Sequence, residues 1–179
     1  MFAPPEKLDT ARLSLAKWAI DDAQAVFEHY ASKPTATKYV SWPAHKSVED
    51  TKSYLRLAIN NWDEGNDFSY GVSLKNTQRL VGSIGIIPED GKIAIGYIFD
   101  PGHWGKGYAT ESLKAILSML NQQRGVHKIW AVCDVDNVGS ARVLEKAGFI
   151  REARVSRWCS FPNQDNQAKD CYFYDYPIH

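Results

Sequence analysis

HWGKGYATE, His103 to Glu111, sets two glycines one residue apart immediately before a segment with helical periodicity. At a helix N-terminus four backbone N–H groups lack intrahelical partners, and the helix dipole places partial positive charge there. Gly105 and Gly107 admit positive φ and carry no Cβ, so the amides from Gly105 to Ala109 can converge on a phosphate. Working outward, Leu113, Ile116, Leu117 and Leu120 form the apolar face of the helix, Gly125 breaks it, and IWAVCDV (Ile129 to Val135) reads as a buried strand. On the other side, KIAIGYIF (Lys92 to Phe99) is almost continuously apolar, as expected of a central strand covered on both faces, and it stops at Asp100 and Pro101. The unit is therefore strand, glycine loop, helix, strand. It is neither of the common phosphate motifs, since the Walker lysine is absent and Thr110 stands where a dinucleotide fingerprint needs its third glycine.

The rest of the chain supplies an antiparallel framework. RLSLAK (Arg12 to Lys17) alternates at period two and predicts a strand, followed by a helix from Asp21 and Asp22 through Ala23, Val26, Phe27 and Tyr30 that stops near Pro34. Ser47 and Asp50 predict a capped helix with Leu55, Ala58, Ile59 and Trp62 on one face, ended by Glu64 and Gly65. FSYGVSL (Phe68 to Leu74), the turn KNTQ and LVGSIGII (Leu80 to Ile87) predict a hairpin, and the turn EDG leads into the central strand. Val138 to Ala147 reads as a helix terminated by Gly148, and Phe149 to Trp158 and Lys169 to Tyr176 as closing strands.

Composition excludes some classes of partner. With 179 residues and 44% hydrophobic content, the expectation is one domain over residues 1–179. Lys plus Arg and Asp plus Glu are 21 each, which gives no footprint for nucleic acid or an anionic membrane. Cys133, Cys159 and Cys171 lack CxxC spacing, the N-terminal residues show no apolar leader, and no apolar run is long enough to span a membrane. A cytoplasmic protein with reduced thiols is expected. His45 and His103 have no partner at ligand spacing, so no metal is expected.

About thirty residues beyond the glycine loop comes DNVGSARVLEKAGF, Asp136 to Phe149, with Asn137 and Ser140 at the junction of a strand and a helix. The series IGYIFDPGHWGKGYATES, then N-x-x-S, then EKAGF resembles the GNAT superfamily of acetyl-CoA-dependent N-acetyltransferases, in the branch of the ribosomal-protein N-terminal (serine/alanine) enzymes. DTARLSL and LVGSIGI are similar to that branch too, so the likeness covers nearly the whole chain. It implies an α+β fold in three layers, α/β/α, whose mixed, mostly antiparallel sheet contains a splayed parallel central strand pair beside about four helices. It also implies acetyl-CoA as cosubstrate, an amine acceptor (a peptide N-terminus or a small molecule), and a monomer or homodimer. By resemblance the diphosphate sits on the loop Trp104, Gly105, Lys106, Gly107, Tyr108, Ala109 and Thr110. The pantetheine arm would lie between Ile93–Phe99 and Ile129–Val135, meeting the backbone of Tyr97, Ile98 and Phe99 and the side chain of Asn137. One departure is Trp104, where most relatives carry Gln or Arg.

The implied chemistry is attack of a neutral amine on a thioester. At about pH 7.4 a lysine-type amine costs roughly 4 kcal/mol to deprotonate, an α-amino group less than about 1 kcal/mol. A backbone N–H of the Tyr97–Phe99 segment would serve the oxyanion. Ser140 matches the residue that bonds or protonates the leaving thiolate; the competing reading is a hydroxyl that only supports the start of its helix. The general base is open: Ala94 stands where relatives often carry Glu, and water-mediated deprotonation is the leading expectation. Glu111 reads mainly as structural, Asp134 and Asp136 as loop or cap residues, and Cys159, Tyr97 and Tyr172 as unspecific candidates. For the acceptor, Tyr39 to His45 and Arg157 to Asn163 offer Trp42, Trp158 and Cys159 as pocket residues, with the two tryptophans equally readable as core plugs. A small-amine or antibiotic acceptor and a catalytically silent CoA-binding regulatory domain remain alternatives.

Overall fold

A computed structural model describes residues 3–178. In chain order these form β1 (Lys7–Asp9), β2 (Leu13–Lys17), α1 (Ala23–Val26), α2 (Pro34–Thr37), α3 (Val48–Glu64), β3 (Phe68–Leu74), β4 (Leu80–Glu89), β5 (Lys92–Phe99), α4 (Tyr108–Leu120), β6 (Lys128–Asp134), α5 (Val138–Ala147), β7 (Ile150–Ser160) and β8 (Ala168–Tyr176). The strands make one eight-stranded sheet in the order β1-β2-β3-β4-β5-β6-β8-β7. Every neighbouring pair is antiparallel except β5 and β6.

Alternation along the strands divides the molecule into layers. Phe68, Tyr70 and Val72 of β3, Ile84 and Ile86 of β4 and Ile93 and Ile95 of β5 bury one face against Leu113, Ile116, Leu117 and Leu120 of α4 and Ala141 and Leu144 of α5. The opposite face carries Ser69 and Gly71. A second cluster forms there from Trp18, Val26, Tyr30, Leu55 and Ala58, and Trp18 lies so close over Gly71 that a Cβ would stand 2.5 Å from its ring. The core on each side is apolar surface removed from water at about 25 cal/mol per Å2.

Local signals act where expected. Ser47 Oγ accepts from the Asp50 amide (3.2 Å) while Asp50 Oδ2 accepts from the Ser47 amide (3.0 Å), a reciprocal cap for α3. Gly65 and Gly148 end α3 and α5 in the left-handed conformation. Two expectations need correcting. A short strand, β1, precedes the predicted first one and pairs with it. The predicted helix up to Pro34 is broken: α1 passes into a wide π turn at Phe27–Ala31, and Pro34 opens α2, where its missing N–H costs nothing.

Candidate active site

The parallel strands β5 and β6 pair only at Lys92↔Lys128, Ile93↔Ile129 and Ala94↔Trp130. Beyond Ala94 they diverge, and the facing edges of Ile95–Phe99 and Ala131–Asp134 form a wedge. A cleft of about 930 Å3 runs from this wedge over the glycine loop to α5. It brings together Tyr97, Ile98, Phe99, Trp104, Gly105, Gly107, Tyr108, Ala109, Thr110, Asn137 and Ser140, with Tyr39 and Val40 on its far wall.

The glycine loop is built by its anchors. Asp100, 1% exposed, ends β5 and takes Lys33 Nζ (2.8 Å), His103 Nδ1 (3.1 Å) and the Gly102 amide (3.2 Å). Burial opposes its charge, but Lys33, Gly102 and His103 together hold its carboxyl below the ordinary range. Gly105 (φ +74°) and Gly107 (φ +81°) turn the chain in the left-handed region. Gly107 caps α4 without any side-chain bond, and the first helical hydrogen bond is the Glu111 amide to the Gly107 carbonyl (3.0 Å). The first-turn amides of Tyr108, Ala109 and Thr110 therefore have no intrahelical acceptor. Nothing lies within 4 Å of where a Gly105 Cβ would stand. This bare loop of donors fits a diphosphate, and the unpaired edge of β5 fits an arm bearing amide groups.

Two residues distant in sequence hold the loop in shape. Glu111 accepts from Thr10 Oγ1 (2.6 Å), the Arg12 amide (3.0 Å) and Arg12 Nε (2.6 Å), and Arg12 Nη1 donates to the Lys106 carbonyl (3.0 Å). The Arg12 guanidinium also covers the Tyr108 ring at 4.7 Å. The Lys106 side chain points to solvent, outside the cleft lining; its contribution here is that carbonyl. Trp104 is half-exposed and donates its indole N–H to the Phe99 carbonyl (2.9 Å).

At the other end of the wedge, Ser140 Oγ and Tyr97 Oη are 2.9 Å apart, and Tyr97 Oη also donates to the Ser140 carbonyl (3.1 Å). The cap of α5 is Asn137, whose Oδ1 accepts from the Ser140 amide (3.1 Å). The Ser140 hydroxyl is thus free of a capping duty and is paired with a phenol. Burial pushes that phenol well above its ordinary value, with the Ser140 bond acting against the shift, so it keeps its proton. Burial likewise pushes the Cys133 thiol up to about 11.

The remaining sequence candidates separate. Asp134 is buried and both oxygens are used, by the Asp136 amide (2.8 Å) and Gln164 Nε2 (3.0 Å). Asp136 lines the cleft. Trp42 lies outside it, stacked on Tyr54 (6.3 Å) and beside His45 (5.1 Å). Trp158, 55% exposed, packs edge-on to Phe173 in a shallow depression away from the cleft, and Cys159 lines neither. The two acceptor segments do meet, through Asn163, whose amide donates to the carbonyls of Thr37 (2.7 Å) and Trp42 (2.9 Å) and accepts from Ala44 N (3.0 Å). Tyr39 and Val40, from the stretch named for the acceptor, do line the cleft, whereas Arg12 and the bond from the Tyr97 hydroxyl to Ser140 were missed from sequence. Among the described residues no cluster of His, Cys, Asp and Glu is arranged to hold a metal, and no helix is long and apolar enough to cross a membrane.

Residues 12–150 match the profile of the Acetyltransferase (GNAT) domain. The chain belongs to the GNAT acetyltransferases. It is 31% identical over 169 residues to the uncharacterized N-acetyltransferase YnaD of Bacillus subtilis, covering 93% of this chain and 94% of that one. It is 27% identical over 117 residues to the ribosomal-protein-serine acetyltransferase of Escherichia coli, 63% of this chain and 64% of the other. The solved structure of the microcin C7 self-immunity acetyltransferase MccE in complex with acetyl-CoA and AMP superposes with a TM-score of 0.88 over 98% of both chains at 17% identity, a likeness of fold. GNAT enzymes use acetyl-CoA, so this is an acetyl-CoA-dependent N-acetyltransferase. The splayed β5–β6 pair and mostly antiparallel sheet agree with the fold that the resemblance implies.

Proposed function

We propose that this GNAT chain acetylates a primary amine, with the α-amino group of a peptide or protein as the preferred acceptor. The observation that carries this reading is the wedge: an unpaired strand edge that leads from a bare glycine loop to a half-buried pair of hydroxyls. Bound acetyl-CoA supplies an activated acetyl thioester. The amides of Gly105 to Ala109 hold its diphosphate, and the edge-facing backbone groups of the Tyr97–Ile98–Phe99 segment align the arm, with one of their N–H groups stabilising charge on the acetyl oxygen. Trp104 and Thr110 border this loop, and the Asn137 amide adds a side-chain contact. Ile98 pairs with Ser83 in the ladder to β4 and the Phe99 carbonyl already accepts from Trp104, which leaves Tyr97 as the principal backbone partner, beside the Phe99 N–H. Ser140 gives the leaving sulfur its proton and is itself served by the Tyr97 hydroxyl, which keeps its proton at neutral pH.

An α-amino acceptor is favoured on two grounds. Its deprotonation costs less than that of a lysine-type amine by about 3 kcal/mol, and the Escherichia coli relative is named for a ribosomal protein. The test is thiol release from acetyl-CoA with peptides beginning in Ser, Ala or Thr, against polyamines and aminoglycosides. Turnover fastest with a peptide supports the reading; turnover confined to polyamines or aminoglycosides assigns a small-amine acceptor. Acetyl-CoA binding with no thiol release in any mixture would make this a silent CoA-binding domain.

A further inference from the structure

Beyond the glycine loop the cleft runs on along α4 and α5, where Lys114, Arg142, Val143 and Lys146 belong to its lining. On α4, Lys114 follows Thr110 by four residues, so the two share a face one turn, about 5.4 Å, apart. On α5, Arg142 and Lys146 share a face by the same spacing. Helical Cα–Cβ bonds tilt toward the N-terminus. All three stems therefore start out toward the helix ends that carry the glycine loop and Asn137.

These cations are uncompensated. All three are exposed, and among the described residues none gives Lys114, Arg142 or Lys146 a side-chain hydrogen bond or an ion pair. The other basic groups around the loop are spent: Arg12 on Glu111 and the Lys106 carbonyl, Lys33 and His103 on Asp100. The nearby acids are spent too. Glu145, beside Lys146 in sequence, takes Arg151 Nη2 (3.0 Å) and Tyr174 Oη (3.1 Å), and Glu111 is held by Thr10 and Arg12. Asp136, the remaining acid of the lining, stands before the N-terminus of α5. The chain as a whole balances 21 cations with 21 anions, so the excess here is local.

Acetyl-CoA has a group of matching charge. Besides its diphosphate it carries a phosphomonoester on C3′ of the same ribose, close to a dianion at neutral pH. The loop amides that suit the diphosphate are neutral dipoles, and a second anionic group beside it calls for full positive charges. We infer that Lys114, Arg142 and Lys146 seat the 3′-phosphate of acetyl-CoA, so that the enzyme selects it over its 3′-dephospho form. This rests on the reading of the cleft as the cosubstrate's. Arg142 supplies a planar fork that takes two phosphate oxygens at once, and the two lysines act as point charges. A seat one helical turn past Thr110 sets the 3′-phosphate one sugar beyond the diphosphate.

The experiment measures Kd by calorimetry for CoA and for 3′-dephospho-CoA in the full chain, in Arg142→Gln, in Lys146→Gln and in the double variant. It also takes kcat and KM of the parent with the two acetyl thioesters. The parent should bind CoA about 10–100-fold tighter than the dephospho form, the range of charge-assisted hydrogen bonds partly screened by solvent. Arg142→Gln should raise the Kd for CoA about tenfold and Lys146→Gln about threefold, each leaving dephospho-CoA within about twofold, and the double variant should bind the two ligands within about threefold of each other. With the parent the preference should appear in KM and not in kcat, because the reacting end at Tyr97 and Ser140 is common to both thioesters. Equal affinity of the parent for the two ligands overturns the inference and leaves acetyl transfer standing. So does a double variant that weakens both ligands alike or keeps the parent's preference, and so does a preference carried by kcat. The comparison within the parent needs no substitution, so it decides even if a variant fails to fold. If the parent binds neither ligand, the reading of the cleft as the acetyl-CoA site falls and takes this inference with it.

Discussion

Replacing Glu111 by Gln tests whether the glycine loop is held from outside itself. The substitution keeps the shape and removes the charge beneath Thr10, the Arg12 amide and Arg12 Nε. Charge-assisted hydrogen bonds contribute about 1.5–3 kcal/mol against about 0.5–1.5 for neutral ones, so each exchanged bond loses about 1 kcal/mol. Glu111 is only 19% exposed, but Arg12 is 49% exposed, and solvent screening removes part of that contribution. A total of about 1–2 kcal/mol falls on the contact that fixes the Lys106 carbonyl, which converts to a 5–30-fold rise in the Kd for CoA, about tenfold per 1.4 kcal/mol. Isothermal calorimetry measures it, while kcat at saturating acetyl-CoA should stay within about twofold because the Tyr97–Ser140 pair is untouched. The pH dependence carries a definite sign. Burial raises the Glu111 carboxyl, but the bonds from Thr10 and Arg12 outweigh it and hold it below its ordinary 4.5. The anchor is therefore fully present above 4.5 and is lost as pH falls through the lower, folded-state value. The gap between the parent and Glu111→Gln should be constant from pH 7 to 5 and close at more acidic pH. A Kd for CoA unchanged at pH 7 would refute the outside anchor.

Ser140→Ala should lower kcat about 10–100-fold with little change in CoA affinity; an unchanged rate returns Ser140 to packing against Tyr97. Gly107→Val forces a β-branched residue into φ +81° beside Arg12 Nη2, at a cost of about 1–3 kcal/mol, and should weaken CoA binding about tenfold by calorimetry. Asn163→Ala removes two bonds that join the acceptor segments, to Trp42 and Ala44, and a third to Thr37, and should lower Tm by about 5–10 °C, while raising the acceptor KM more than that of acetyl-CoA. Asp67→Asn should raise Tm at pH 7: a carboxyl pushed up by burial opposes folding when ionised, and that penalty vanishes below its unfolded value of 3.8, so the gain should shrink as pH falls toward 3.8.

What could be read from the sequence is what short-range chemistry determines. The central strands, the caps of α3 and α5 and the glycine loop depend on residues within a few positions of each other, and they stand where the periodicity and turn chemistry put them. The strand β1 escaped because three residues, KLD, are too few for their alternation to stand out. The break after Val26 escaped because Phe27 and Tyr30 keep a helical stripe through a π turn that local spacing does not distinguish. What escaped at the site is Arg12 and the pairings that are made by distance. Arg12 and Glu111 meet across 99 residues, Tyr97 and Ser140 across 43. Trp158 shows the converse: an aromatic in a promising stretch faces a shallow depression elsewhere because its strand, β7, lies at the sheet edge, two strands beyond β6.

The alternation of β5 also decides which side chain meets Ser140. Consecutive residues on a strand point to opposite faces, so Tyr97 reaches Ser140 on the side of α5 while Ile98 packs against the apolar cluster on the other face. Inverting that parity by one residue would turn Tyr97 away from α5 and put Ile98 against Ser140, separating the hydroxyl pair. A one-residue deletion in the turn at Asp90–Gly91, where both residues adopt positive φ, is the change that would impose such a slip. It should abolish turnover with every amine even where a folded core survives by circular dichroism; retained activity in that variant would show that the reaction does not need the Tyr97–Ser140 pair.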